Sequence, residues 1–239
     1  MRPTSPELNP GQISALLRGE PELIAAWTRQ WSLQRFALHV GIIILGAGLY
    51  GAAMGWWRDP QQALYVAIKF PLIILLTTTG NALLNAMLAP LMGLNLPFRQ
   101  SCSAILMSFA ITAAILGAFS PLMAFMVWNA PPISPEAVSS PAYSFIKLMH
   151  VAAIAFAGIM GNARLFQLLA QLGGSRAVAR RVLLAWLAGN LFFGSQLSWI
   201  LRPFIGAPNL PVVLFRQNAL KGNFYEAVFY SARDLWIPH

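Results

Sequence analysis

Five stretches of about twenty or more predominantly apolar residues, separated by shorter polar segments, constrain this chain more than any other feature. A helix rises about 1.5 Å per residue, so about 20 apolar residues match the roughly 30 Å hydrocarbon core of a bilayer. The runs lie at about 36–56, 67–92, 102–128, 143–169 and 182–201. Composition agrees: 57% of residues are hydrophobic and only 10% charged, against about 25% charged in soluble domains. The expected fold class is all-α, a polytopic membrane protein of about five transmembrane helices with amphipathic interfacial helices at both ends. No stretch is left for a second core, so the expected organisation is a polar N-terminal segment over 1–35, a membrane domain over 36–201 and an interfacial tail over 202–239.

The formal charge is +9, from 16 basic and 7 acidic residues. In a soluble protein that excess would suggest nucleic-acid binding. Here the basic residues sit mainly at the ends of apolar runs, where anionic headgroups attract each by roughly 1 kcal/mol. Membrane lipids are therefore the expected partners, and nucleic acid is not. Cys102 is the single cysteine, which excludes an intrachain disulfide and a cysteine-rich metal framework. Pro3, Glu7 and Pro10 precede any apolar stretch and lack the basic-then-apolar order of a cleavable signal, so the first span is expected to serve as its own insertion signal.

At the N-terminal end, Ile13, Leu16, Leu17, Ile24, Trp27 and Trp31 recur at roughly helical spacing against Arg18, Glu20, Glu22 and Arg29, with Pro21 dividing the run. This pattern predicts amphipathic interfacial helix. The tail carries an apolar stretch over 204–215 that is too short to span and holds Pro208 and Pro211, so it is read as interfacial or re-entrant. Residues 223–236 (NFYEAVFYSARDLW) then predict a short surface helix. The side shared by the N-terminus and the second and fourth loops holds nine arginines, from Arg2 to Arg181, against Arg58, Lys69 and Lys147 opposite, before the basic tail is counted. The positive-inside rule then places the N-terminus in the cytoplasm and the C-terminus outside.

The five spans, a polar N-terminus read as cytosolic and a first loop carrying MGWWRDPQQALYVAIKFP ahead of the second span resemble Yip1-type membrane proteins in their bacterial branch, over roughly residues 30 to 200. The tail stretch LRPFIGAPNLPVVLFR followed by GNFYEAV is similar to bacterial multi-span proteins that carry no assigned activity. The resemblance implies a bacterial inner membrane. The eukaryotic family's link to membrane traffic and small GTPases does not transfer on architecture alone.

Chemistry inside a membrane needs acid–base groups or ligands facing a wet cavity. All seven carboxylates, Glu7, Glu20, Glu22, Asp59, Glu136, Glu226 and Asp234, fall outside the predicted spans. That argues against an aspartyl protease, a carboxylate proton relay and a carboxylate-liganded metal. His39, His150 and His239 show no metal-ligand spacing, so no metal and no cofactor is expected. Ser195 and His150 form a conceivable hydrolytic dyad without the GxSxG or GxSG surroundings of such a nucleophile, and a packing serine is the plainer reading.

Asn81 and Asn85 share a helix face with Thr77 and Thr78 a turn earlier; they either line a polar pathway or hydrogen-bond between helices, the latter being favoured. Asn190 and Gln196 lie on different faces of the fifth span. Gly51 and Gly55, and the stripe of Ala153, Ala157 and Gly161, let another helix approach closely. Lys69, Lys147, His150 and Arg202 fall near one interface at the ends of different spans, where they would together bind a lipid phosphate or an acidic partner, or else snorkel separately. Trp56, Trp57, Trp128 and Trp199 on that side, with Trp27, Trp31 and Trp186 toward the other, read as interfacial belts. Glu226 sits in an aromatic stretch facing several cations, which predicts an ion pair with Arg202 and a tail folded back over the helix ends.

Taken together these features point to a non-enzymatic membrane protein acting as a scaffold or as a subunit of a larger assembly, joined to other membrane subunits or to copies of itself. A lipid or small-solute transporter using Asn81, Asn85 and the basic groups is the alternative, and an intramembrane enzyme with an unrecognised site is third.

Overall fold

The structure is a computed structural model that describes residues 32–94, 97–134, 141–206, 211–226 and 229. Five helices follow in order: α1 (Leu33–Trp56), α2 (Pro60–Leu91), α3 (Phe98–Trp128), α4 (Pro141–Gly173) and α5 (Arg176–Leu201). Each is long and apolar enough to cross a membrane, so the chain is an all-α, multi-pass membrane protein. The N-terminal amphipathic segment lies outside the described residues up to position 31, and of the predicted surface helix over 223–236 only 223–226 and 229 are described.

The helices extend beyond the apolar runs. α2 starts at Pro60 and not near 67, because Asp59 accepts a hydrogen bond from the Gln61 N–H at 2.7 Å and Pro60 occupies the first turn. α5 starts at Arg176 and not near 182. Hydrophobicity marks where lipid begins, whereas helical hydrogen bonding continues into the headgroup layer. α3 passes through Pro121, the expected kink point, and runs on to Trp128. The Gly117 carbonyl, which loses its N–H donor to that proline, accepts from Ser120 Oγ at 2.6 Å. α2 closes in a Schellman turn: Leu94 N–H reaches Ala89 O and Gly93 N–H reaches Pro90 O, with Gly93 at φ 89°.

Close backbone approach organises the bundle. α1 lies most intimately against α3 and α2, α4 lies on α3, and α5 packs on α2 and α4. A methyl group built on Gly46 would collide with the Ala113 carbonyl oxygen, and one on Gly117 would lie 2.9 Å from Gly46 Cα. A methyl group built on Gly51 or Gly55 would likewise lie 2.6 Å from an α2 carbonyl oxygen, that of Val66 or Gln62 respectively. On α4, Ala153, Ala157 and Gly161 are buried; Gly161 faces Ser108 and Thr112 of α3, and Thr112 Oγ1 donates to Ala157 O at 3.3 Å.

The interior divides into layers. Toward one end Tyr50, Met54, Val66, Leu116, Met123 and Ala157 form a core shared by α1 to α4. Toward the other, Ile105, Met107, Leu165, Leu168, Val182 and Trp186 join α3, α4 and α5. Trp186 is 1% exposed, which corrects its assignment to an interfacial belt. With α5 starting at Arg176, this residue stands ten positions, about 15 Å, into the helix. Trp57 is also buried, and its Nε1 donates to Pro131 O, whereas Trp56 and Trp128 are exposed.

Candidate functional site

The predicted polar face of α2 meets α5. Asn81 Nδ2 donates to Asn190 Oδ1 at 2.6 Å and to Trp186 O at 3.3 Å, and Asn85 Nδ2 donates to Asn81 Oδ1 at 2.9 Å. Asn81 and Asn85 are almost wholly buried, so unmet amides there would each cost about 1–3 kcal/mol. The three amides thus lock the crossing where Gly189 lies against Asn81 and Gly80 against the Phe193 ring. Asn190 belongs to this site, which no spacing within α5 could reveal.

At the end of the bundle where α5 gives way to the tail, the four predicted cationic groups each have partners of their own. Lys69 is 1% exposed, and its Nζ donates to the carbonyls of Pro203 and Val213, both at 3.3 Å. His150 is buried between α1 and α4, where Tyr50 Oη lies 2.9 Å from its Nδ1 and the two rings meet edge to face. Lys147 is exposed, its Nζ 4.7 Å above the Tyr143 ring. The Arg202 guanidinium lies over the Trp199 ring at 3.1 Å. Each group lies beside backbone carbonyls, a phenol or an aromatic face, while Arg202 Nη1 and His150 Nε2 are buried without a hydrogen-bond partner.

What gathers these helix ends is the tail. Gln62 Nε2 donates to the carbonyls of Pro203 (2.9 Å) and Phe204 (2.8 Å), and Tyr143 Oη donates to Gly206 O at 3.3 Å. Phe204 and Ile205 pack on the core of α1 to α4. Gly206, at φ 84°, rests against the Arg58 side chain. The chain then returns so that Val213 O also meets Lys69. Lys69 stands nine residues, about 14 Å, along α2, so the Pro-containing stretch dips between the helix ends.

The tail folds back, but not through the expected ion pair. Glu226 accepts from Asn223 Nδ2 at 3.4 Å, and its own N–H donates to Asn223 Oδ1 at 2.8 Å. Among the described residues no ion pair joins it to Arg202, Lys69 or Lys147. Asparagine three residues ahead forms a local cap at low entropic cost, while Trp199 already occupies the guanidinium face. The tail is held on α5 instead by neutral contacts: Ser195 Oγ donates to Tyr225 Oη at 2.9 Å, Tyr225 Oη donates to Leu191 O at 3.3 Å, the Phe224 N–H donates to Gln196 Oε1 at 3.2 Å, and Tyr225 stacks on Phe192. These contacts occupy Ser195, and Tyr50 occupies His150, so the conceivable dyad is not assembled.

Comparisons with protein-family models, with curated proteins and with solved structures each return no match. The geometry of the tail-covered end therefore carries the functional reading. Gln62 and Tyr50 join it without having been visible as a pair in the sequence. Their partners lie about a hundred or more residues away, and no local pattern marks a side chain for so distant a backbone.

Proposed function

We propose that this protein is a non-enzymatic membrane scaffold or subunit that works by association, and that its tail-capped end is the docking face. One observation carries the reading: the tail is fixed across the ends of several helices by buried donors, Gln62 and Lys69, and this end presents, among the described residues, Lys147, Arg202, Arg216 and Lys221 against Asp59 and Glu226. A rigid face dominated by one charge favours an acidic protein surface or anionic headgroups and loses little entropy on binding. The polar groups between the spans support the same reading, since the Asn81, Asn85 and Asn190 amides and the Tyr50–His150 pair act across helix interfaces. The five-span order and the first-loop stretch are the ground on which Yip1-type membership and a bacterial inner membrane are proposed.

Purification of the full chain in mild detergent, with identification of what accompanies it, tests the function. Stoichiometric recovery of another membrane protein or of a homo-oligomer is expected, and Lys147→Glu with Lys221→Glu should lower that recovery at least severalfold. A solitary monomer that moves a solute across vesicles would instead favour the transporter.

The proposed orientation, with the N-terminus cytoplasmic and the C-terminus outside, rests on the arginine asymmetry. Single cysteines at Ser175 and Ser139, in a chain with Cys102 replaced, give a direct readout. An impermeant thiol reagent applied to intact cells should label Ser139→Cys and spare Ser175→Cys, and the opposite pattern would invert the topology.

A further inference from the structure

A cavity of about 310 Å³ opens in the tail, lined by Pro203, Pro211, Val213, Arg216, Gln217 and Asn218. Its volume is at the lower edge of the range of small-ligand sites, which begins at about 300 Å³. The two backbone segments that wall it, at Pro203 and Val213, are the ones Lys69 holds together, so an ammonium group lies directly behind their carbonyls. Arg202 adjoins Pro203, and its Nη1 is buried without a hydrogen-bond partner. Burial, with the Arg216 charge beside it, holds the Arg202 guanidinium below its ordinary pKa. Arg216 thus lines the cavity and Arg202 adjoins its Pro203 wall, and neither forms an ion pair among the described residues. Glu226, the tail carboxylate among the described residues, is engaged with Asn223.

The chemistry of the lining is specific. Arg216 lines the cavity itself, and the turn that follows it closes with Ala219 N–H on Arg216 O, leaving the backbone N–H groups of Gln217 and Asn218 outside that hydrogen bond. Guanidinium forks, side-chain amides and turn N–H groups are the donors that recognise phosphate oxygens. Pro203, Pro211 and Val213 supply an apolar wall, which suits a phosphate carried on an organic group.

We infer that the cavity between Pro203 and Arg216 is a binding site for a phosphate monoester or diester, with Arg202 and Arg216 as its principal donors. The inference deepens the reading of the tail-capped end as an interaction face and rests on it. An anion there would relieve the repulsion between the two arginines and bridge the two segments of the tail that Lys69 already joins.

The test uses the full-length protein in nanodiscs of phosphatidylcholine alone or of phosphatidylcholine with phosphatidylglycerol, released for native mass spectrometry. In parallel, its melting is followed in detergent with and without inorganic phosphate. Preferential retention of phosphatidylglycerol is expected, and Arg216→Gln and Arg202→Gln should each lower it about tenfold. Arg216→Lys should keep part of it. Arg181→Gln, an equal loss of charge on an exposed residue at the other end, should leave it unchanged. Retained phosphatidylglycerol without a response to phosphate identifies a lipid headgroup, whereas phosphate that raises the melting temperature and displaces the lipid identifies a site for the free anion. No preference for phosphatidylglycerol together with no response to phosphate overturns the inference, as does an equal loss in Arg181→Gln and Arg216→Gln. Because Arg216 lies in a surface turn, its variants should keep the wild-type circular dichroism, so the assay does not turn on the fold. Neither readout needs a protein partner, so a failed site and a failed partner search are told apart.

Discussion

Gly46→Leu is expected to disrupt the bundle while leaving its individual helices formed. The added Cβ would sit on the Ala113 carbonyl oxygen and 2.7 Å from the Ala113 carbonyl carbon, and neither is a flexible side-chain end that can swing away. α1 and α3 would have to separate along the crossing where Gly117 also meets Gly46. Overpacking a tight interior typically costs about 1–3 kcal/mol and more where backbone must move, so the loss should fall at or above the top of that range. Thermal unfolding in detergent, read beside Gly41→Leu and Gly158→Leu, gives the comparison, because a Cβ at either control position meets nothing within 4 Å. If all three melted together, the α1–α3 contact would not be what holds the helices.

Lys69→Met should release the tail. Methionine keeps the length and the apolar stem of the side chain but removes the two hydrogen bonds from Nζ to Pro203 O and Val213 O. Hydrogen bonds from a charged donor contribute about 1.5–3 kcal/mol each, so losing both should raise the open population of the tail by roughly a hundredfold or more. The local and global effects need not share a sign, because removing a buried ammonium also relieves its desolvation. The measurement is therefore local: trypsin cleavage after Arg216 and Lys221, or hydrogen exchange over 211–222, compared with wild type. Gln62→Leu should free Phe204 and leave both Lys69 contacts, to Pro203 and Val213, in place, giving a smaller release. Wild-type cleavage rates in Lys69→Met would mean that the contacts from Gln62, Tyr143 and α5 suffice to hold the tail.

The spans were legible because hydropathy over a helix length carries the membrane requirement directly, and the packing roles of Gly51, Gly55, Asn81 and Asn85 followed from residues three or four apart sharing a face. Gly46 and Gly117 were not legible. Each acts against a partner on another helix, and Gly46 has no small residue four positions away to mark a stripe. Trp186 was placed at an interface because its apolar run begins near 182, whereas the polar turn from Arg176 is already helical and carries the ring inward. The basic residues at the candidate site were visible as charges, but their partners were not. Lys69 bonds to two backbone carbonyls and Arg202 stacks on Trp199, and sequence spacing carries no record of either. For Glu226 the pairing of opposite charges was outweighed by an asparagine three residues away.

The dependence of Lys69 on the tail also orders the assembly of the protein in time. Pro203 leaves the ribosome 134 residues after Lys69 and Val213 follows later, an interval on the order of ten seconds at ordinary rates of synthesis. Throughout that interval α2 must reside in or beside the translocon with an ammonium group on a helix that is otherwise largely apolar. Such a group resists transfer into lipid by up to about 3 kcal/mol at the bilayer centre and by less near its edge. Maturation therefore requires a segment made after α5 to swing back over the helices made first. Quality-control proteases that sense exposed polar groups in the bilayer would see a truncated chain as unfinished, even with all five spans across.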